Sequence, residues 1–306
     1  MRSRSPSGAT ADTATGSGSA RPMHQIISIV ELSSILCLVS LAAVLTFRLA
    51  GFPDLSVDGV FTLGAVVYAK CYLLGLGTVP SVLLALGAGA VAGSFTATTS
   101  VRLRINPLLA SVLVLTILYT LNLRILGKAN QPIYNLAPRS WLSSPHAWVF
   151  FLVFAAAAVV ALYLFLRTEV GSALRCTGSS PGVLQSVGKN VALYKVVLVA
   201  IAGSLVATSG AFLAGKYGFA DVSLGTGTII IGIASLIIGE KILGRRRFLG
   251  QIMAAPAGIF LYELAVGVAL SAGVSPMDVK LATGFVAILL LALGRNERDR
   301  LLAEAD

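Results

Sequence analysis

Asp54-Leu-Ser-Val-Asp-Gly59 and Asp221-Val-Ser-Leu-Gly-Thr226 interrupt an otherwise apolar chain at an offset of 167 residues, each between one long apolar run and a glycine-containing successor. A second pair follows at nearly the same offset, Ile105-Asn-Pro-Leu-Leu-Ala110 and Val274-Ser-Pro-Met-Asp278. The chain therefore reads as two four-helix halves, about 26–127 and 194–294, joined by a lone helix at 147–166. Four crossings return a chain to its starting side and a linking helix takes it across, so the second half enters the membrane upside down. Inverted halves with Gly- or polar-interrupted segments at matching places point to a transport pathway at their interface. Chance likeness between two polar-to-apolar junctions is the plain alternative.

Composition fixes the class. Of 306 residues, 56% are hydrophobic and only 12% charged, against about 25% charged in soluble domains, and the mean hydropathy is +0.88. Runs long enough to cross ~30 Å of hydrocarbon are read at 26–49, 58–77, 79–99, 108–127, 147–166, 194–215, 224–242, 249–272 and 279–294. The expected fold is an all-α polytopic membrane protein of about nine transmembrane helices in the lipid bilayer. Residues 1–24, rich in Ser, Gly, Ala and Thr, read as a disordered tail; 25–295 form the transmembrane domain and 296–306 a short tail.

The net charge of +10 is spread between the apolar runs, which argues against nucleic-acid binding and for loop orientation. Arg48, Arg102, Arg104, Arg167, Arg175, Lys189, Lys195, Lys241, Arg245–Arg247, Arg295, Arg298 and Arg300 fall on one side, which is expected to be cytoplasmic. The carboxyl terminus is then cytoplasmic and the amino terminus extracytoplasmic, although Arg2, Arg4 and Arg21 in the tail weigh against that. Cys37, Cys71 and Cys176 have no metal-ligand or disulfide spacing. No GxxxxGK[ST], HExxH or GxSxG motif occurs, so neither a P-loop ATPase nor an enzyme is indicated, and catalytic and metal residues are none.

Charged and amide groups within the runs are costly and ask for a partner or a watery cavity. They are Glu31, Asp58, Lys70, Asn122, Arg124, Glu240 and Glu263. Tyr119 and Asn122, three residues apart, share a helix face. The expected pathway comprises Asp54, Ser56 and Asp58, then Asp221, Ser223, Gly225 and Gly227, with Tyr119, Asn122 and Glu263. Packing and inter-helix hydrogen bonding account equally well for Asn122 and Glu263. The polar loop 168–192 has Ser179 or Ser180 before Pro181, which suits the start of a short helix.

These residues resemble those of ATP-binding-cassette importer permeases of the branched-chain amino acid and ribose type. Asp54–Gly59 resembles the family's D-L-S-V-G segment, and Arg104-Ile-Asn-Pro-Leu-Leu109 its R-I-N-P segment. Leu174-Arg-Cys-Thr-Gly-Ser-Ser-Pro181 resembles A-x-R-A-x-G-x-N-P, with Cys176 where Ala is usual and Ser180 where Asn is usual. The likeness spans about 26–294 and is most specific for a subgroup with motifs beginning here at Phe52, Leu118 and Phe219. It implies a dimeric permease core, expected to be a homodimer with a second copy, in a bacterial plasma membrane. It also implies an extracytoplasmic solute-binding protein and separate ATPase subunits. These subunits carry the ATP and Mg, none of it bound by this chain, and dock on a coupling segment containing Leu174, Arg175, Thr177, Gly178, Pro181, Val187 and Gly188. The cargo implied is a small solute, an amino acid, with an aromatic one as first expectation. The alternative is an ion-coupled secondary transporter with Asp58 and Glu263 as proton or cation sites.

Overall fold

A computed structural model describes residues 20–134, 139–244 and 248–273. The chain is helical, and the only sheet among the described residues is a two-stranded one. The first helix, α1 (Ala20–Ala43), reaches back into the segment expected as a tail and passes into a π-helical turn, Val44–Leu49. Then come α2 (Val57–Leu73), α3 (Thr78–Leu103), α4 (Pro107–Leu126), β1 (Asn130–Pro132), a 3-10 turn (Trp141–Ser143) and α5 (Ala147–Arg167). The second part holds α6 (Glu169–Ser179), α7 (Pro181–Ser186), α8 (Val191–Tyr217), β2 (Phe219–Asp221), α9 (Thr228–Leu243) and α10 (Phe248–Ser271).

Local chemistry sets these bounds. Asn106 Oδ1 accepts from Leu108 N at 2.9 Å with Pro107 at the first helical position, so α4 starts there, and it ends at Gly127 with φ +77°. Asn190 Oδ1 caps α8 in the same way, and Gly218 ends it at φ +74°.

Among the described residues, six helices are long and apolar enough to cross a membrane: Gln25–Leu49, α3, α4, α5, α8 and α10. The runs at 58–77 and 224–242, expected as full crossings, instead form α2 and α9, with 17 and 16 residues. At about 1.5 Å per residue each spans roughly 25 Å, short of the ~30 Å hydrocarbon layer. The run at 279–294 and the Val274–Asp278 junction lie outside the described residues.

Small residues set the closest contacts. A Cβ on Gly89 would sit 2.3 Å from Gly203 O, and one on Gly203 would sit 2.4 Å from Gly89 O, so α3 and α8 touch backbone to backbone. A Cβ on Gly64 of α2 would lie 1.9 Å from Ala207 O of α8. The packing has a reciprocal pattern: α1 lies against α8, α9 and α10, while α8 lies against α1, α2 and α3.

Candidate translocation site

Asp54 and Asp221 build the same turn. Asp54 Oδ1 accepts from Ser56 N at 2.8 Å and from Ser56 Oγ at 2.6 Å, and Asp221 Oδ1 accepts from Ser223 N at 2.7 Å and from Ser223 Oγ. The Asp-x-Ser spacing makes this possible, because a short carboxylate reaches the backbone two residues on. The surroundings differ. Asp54 is 3% exposed and Ser56 is fully buried, its hydroxyl 3.1 Å from Thr96 Oγ1 of α3. Asp221 lies on β2, where Asn130 of β1 donates to its other oxygen at 2.9 Å. The hydroxyl of Ser223, then its backbone N–H and the Asn130 amide, hold the Asp221 carboxyl below the usual carboxylate range against a smaller opposing effect of burial.

Asp58 joins the two turns. Lying in the first turn of α2, it accepts from Gly227 N at 2.8 Å through Oδ2, and from Ile229 N and Thr228 Oγ1 at 2.9 Å each through Oδ1. It thus caps α9, whose own N-cap residue, Gly227, has no side chain to do so. Gly227 sits at φ +89°, and a Cβ on Gly225 would lie 2.0 Å from Asp58 O, so the two helix starts meet at backbone contact. Thr62 Oγ1 accepts from Gly225 N at 3.1 Å. Asn122 of α4 is 1% exposed and donates to Gly59 O at 3.1 Å, while its Oδ1 accepts nothing among the described residues.

From this junction the short helices part. At one end of the bundle Lys216 of α8 pairs with Glu31 of α1, and Tyr68 of α2 lies beside Gly215. At the other, Arg48 in the π-helical turn makes a two-pronged pair with Glu240 near the end of α9, with Nε 2.6 Å from Oε1 and Nη2 on Oε2. The start of α1 marks the first end and its finish the second, so α2 and α9 run in opposite directions. Glu31 and Glu240 were each expected to need a partner or a watery cavity; what the sequence missed was which cation serves each, since partners 185 and 192 residues away leave no local spacing.

Two expected pathway residues stand apart. Tyr119 is 57% exposed on the flank of α4, so it and Asn122 do not turn to the same neighbours. Glu263 is 5% exposed on α10, within electrostatic reach of Tyr217, as Glu31 is, and so belongs with the Glu31–Lys216 end of the bundle.

The expected coupling segment holds two helices, α6 and α7. Thr168 Oγ1 caps α6 by accepting from Gly171 N at 3.1 Å, and Pro181 occupies the first position of α7. Leu174 and Thr177 are buried, Arg175 lies over the Phe248 ring at 3.8 Å, and Val187 and Gly188 are exposed beyond α7. A Cβ on Gly178 would sit 2.5 Å from Leu49 O and 3.0 Å from Gly51 N, so α6 rests directly on the backbone that leaves the π-helical turn.

Residues 25–294 match the family model described as branched-chain amino acid transport system / permease component. A tyrosine transport system permease protein of Clostridioides difficile (strain R20291) is 35% identical over 272 residues, covering 89% of this chain and 92% of that protein. An uncharacterised protein of Rickettsia prowazekii (strain Madrid E) is 29% identical over 285 residues, 90% of this chain and 99% of that protein. No solved structure matches at a significant level.

Proposed function

The chain belongs to the permease family of branched-chain amino acid transport systems and is a multi-pass membrane subunit of an ATP-binding-cassette importer for amino acids; on that premise we propose that its cargo is an aromatic amino acid passing beside the α2–α9 junction. The likeness to a tyrosine transport permease over nearly the whole length supports the cargo. The single observation that supports the route is Asp58, one carboxylate holding together the starts of two short helices that run in opposite directions. Short segments at corresponding places in two halves are where transporter sites form.

In this reading the halves are inverted repeats, with α1, α2 and α3 answering to α8, α9 and α10. The pathway runs past Asp54, Ser56, Asp58, Asn122, Asp221, Ser223, Gly225 and Gly227, with Tyr119 and Glu263 at its margins. An importer permease works with an ATPase and a solute-binding protein. Here the ATPase docks on α6 and α7, a second copy of this chain completes the pore, and the membrane is the bacterial plasma membrane with the α6 face cytoplasmic. ATP and Mg stay on the partner. Closure of the ATPases presses α6 on the π-helical turn through Gly178, Arg48 transmits the displacement to Glu240, and α9 shifts against Asp58.

Labelled tyrosine uptake by proteoliposomes holding permease and ATPase, with the binding protein added outside, tests this. Uptake that requires ATP and survives an uncoupler is expected. Uptake driven by an ion gradient without ATP would favour the secondary-transporter alternative and overturn the mechanism, and ATP-driven uptake confined to non-aromatic solutes would overturn the cargo.

A further inference from the structure

Outside the α2–α9 junction, α5 packs on α1, α6 and α10. Between α1, α5 and α10 opens an apolar groove of about 520 Å³, lined by Val30, Cys37, Ala156, Val160, Met253 and Pro256 among others. Toward α6 the crevice between α5 and α10 changes character. Tyr163 of α5 stacks on Phe248, the first residue of α10, with ring centroids 5.7 Å apart and planes at 21°. The Arg167 guanidinium lies over the Tyr163 ring at 4.8 Å and that of Arg175 over the Phe248 ring at 3.8 Å. Val160 and Met253 line the groove, and Tyr163 and Phe248 lie beyond them on the same two helices toward α6, so the two cations held by aromatic faces lie past its α6 end; Arg175 also borders a polar pocket with Arg48, Glu240 and Gln251. From Val160 to Arg167 the helix rises roughly 10 Å, a distance that an acyl chain spans from its headgroup.

We propose that the α5–α10 crevice holds one anionic phospholipid, with an acyl chain in the groove and its phosphate against Arg167 and Arg175. A cation–π contact uses the flat face of a guanidinium and leaves its edge donors for phosphate oxygens. Arginine has five such donors, so Arg175 can serve a phosphate and a protein neighbour together. An apolar wall continuous with a basic end fits a lipid and not a free phosphate, and basic pockets between helices on the cytoplasmic side suit anionic headgroups. Naming the leaflet rests on the reading of α6 as the ATPase side. A lipid seated there braces the junction of α5 and α6, next to the proposed docking helix.

The test uses the full chain purified in mild detergent, given phosphatidylglycerol or phosphatidylcholine, with retained lipid read by native mass spectrometry. Preferential retention of one phosphatidylglycerol is expected. The preference should fall about thirtyfold in the double variant Arg167→Gln, Arg175→Gln, from ~1 kcal/mol per arginine at an anionic surface. Ala156→Phe, on the exposed wall of the groove, is expected to reduce retention of both lipids without disturbing the core. Equal retention of the two lipids by the unaltered chain, a preference unchanged in the arginine variant, undiminished retention in Ala156→Phe, or displacement by inorganic phosphate alone would each overturn the site. The readout needs neither cargo nor ATPase. Absent lipid preference in the unaltered chain with intact uptake therefore sinks the lipid site alone, and failed uptake by the unaltered chain with its lipid preference intact sinks the transport reading alone.

Discussion

Asp58 serves donors on a helix that begins about 170 residues further along the chain, and removing its charge separates two roles that a carboxylate fills at once. In Asp58→Asn one oxygen still accepts, but the amide nitrogen is turned on backbone N–H groups that need acceptors. Hydrogen bonds to a charged group contribute ~1.5–3 kcal/mol, so a loss of about that size is expected in detergent unfolding, together with reduced uptake. Unchanged unfolding in Asp58→Asn would remove the junction from the energetics. Asp221, with the same local turn, makes a different prediction because it lies outside the spans. Its folded pKa is depressed, so its contribution is complete above the unfolded value of about 3.9 and is lost as pH falls through the lower folded value. The stability gap between the unaltered chain and Asp221→Asn is therefore expected at neutral pH and should close in strong acid. A gap independent of pH would assign Asp221 a role other than its charge.

Among the elements, α6 meets the π-helical turn at backbone contact through Gly178. Gly178→Ala places a methyl 2.5 Å from Leu49 O, and a carbonyl in a helical turn cannot step aside as a side chain can. The expected result is ATP hydrolysis with a reduced number of solutes moved per ATP, while Gly182→Ala on α7, which meets nothing within 4 Å, should leave that ratio unchanged. Equal coupling in both variants would sink the lever. The next link is Arg48–Glu240. Arg48→Gln leaves Glu240, 6% exposed at its side chain, without its two-pronged partner; with the arginine itself 32% exposed, a cost of ~1–3 kcal/mol is expected, below the range for a fully buried pair. Joint exchange, Arg48→Glu with Glu240→Arg, should recover part of the stability measured by unfolding. At this scale the sequence was readable for the six apolar runs that continue as helices of 20 residues or more. It was unreadable where length decides. The break between the runs at 58–77 and 79–99 was read where α3 begins, at Thr78, but Gly75 and Gly77 at φ +85° and +82° belong to the turn, so α2 stops at Leu73 and falls short of the full crossing expected of it. Tyr119 and Asn122, three residues apart, were expected to share a helix face, yet the packing of α4 on α2 takes Asn122 inward and leaves Tyr119 exposed.

At the scale of the molecule, the Asp-x-Ser turns, the two short helices that follow them and the reciprocal packing of α1 and α8 are the features that the proposed relation between halves would account for together. The turns were legible in sequence because a side chain bonding two residues on leaves a local signature. The cap that Asp58 gives α9 was not, because a contact between halves leaves none. If the halves are inverted across the membrane, the far ends of α2 and α9 open on opposite faces. Leu76 follows α2 and Leu243 closes α9, and both are exposed. In a chain whose Cys37, Cys71 and Cys176 have been replaced by Ala or Ser, Leu76→Cys should react with an impermeant maleimide from outside intact cells. Leu243→Cys should react only after the membrane is opened. The two sites share their test conditions and differ only in the half of the chain they belong to. Reaction of both from the same side would leave α2 and α9 as parallel insertions, and the pathway would then have to be sought away from their junction.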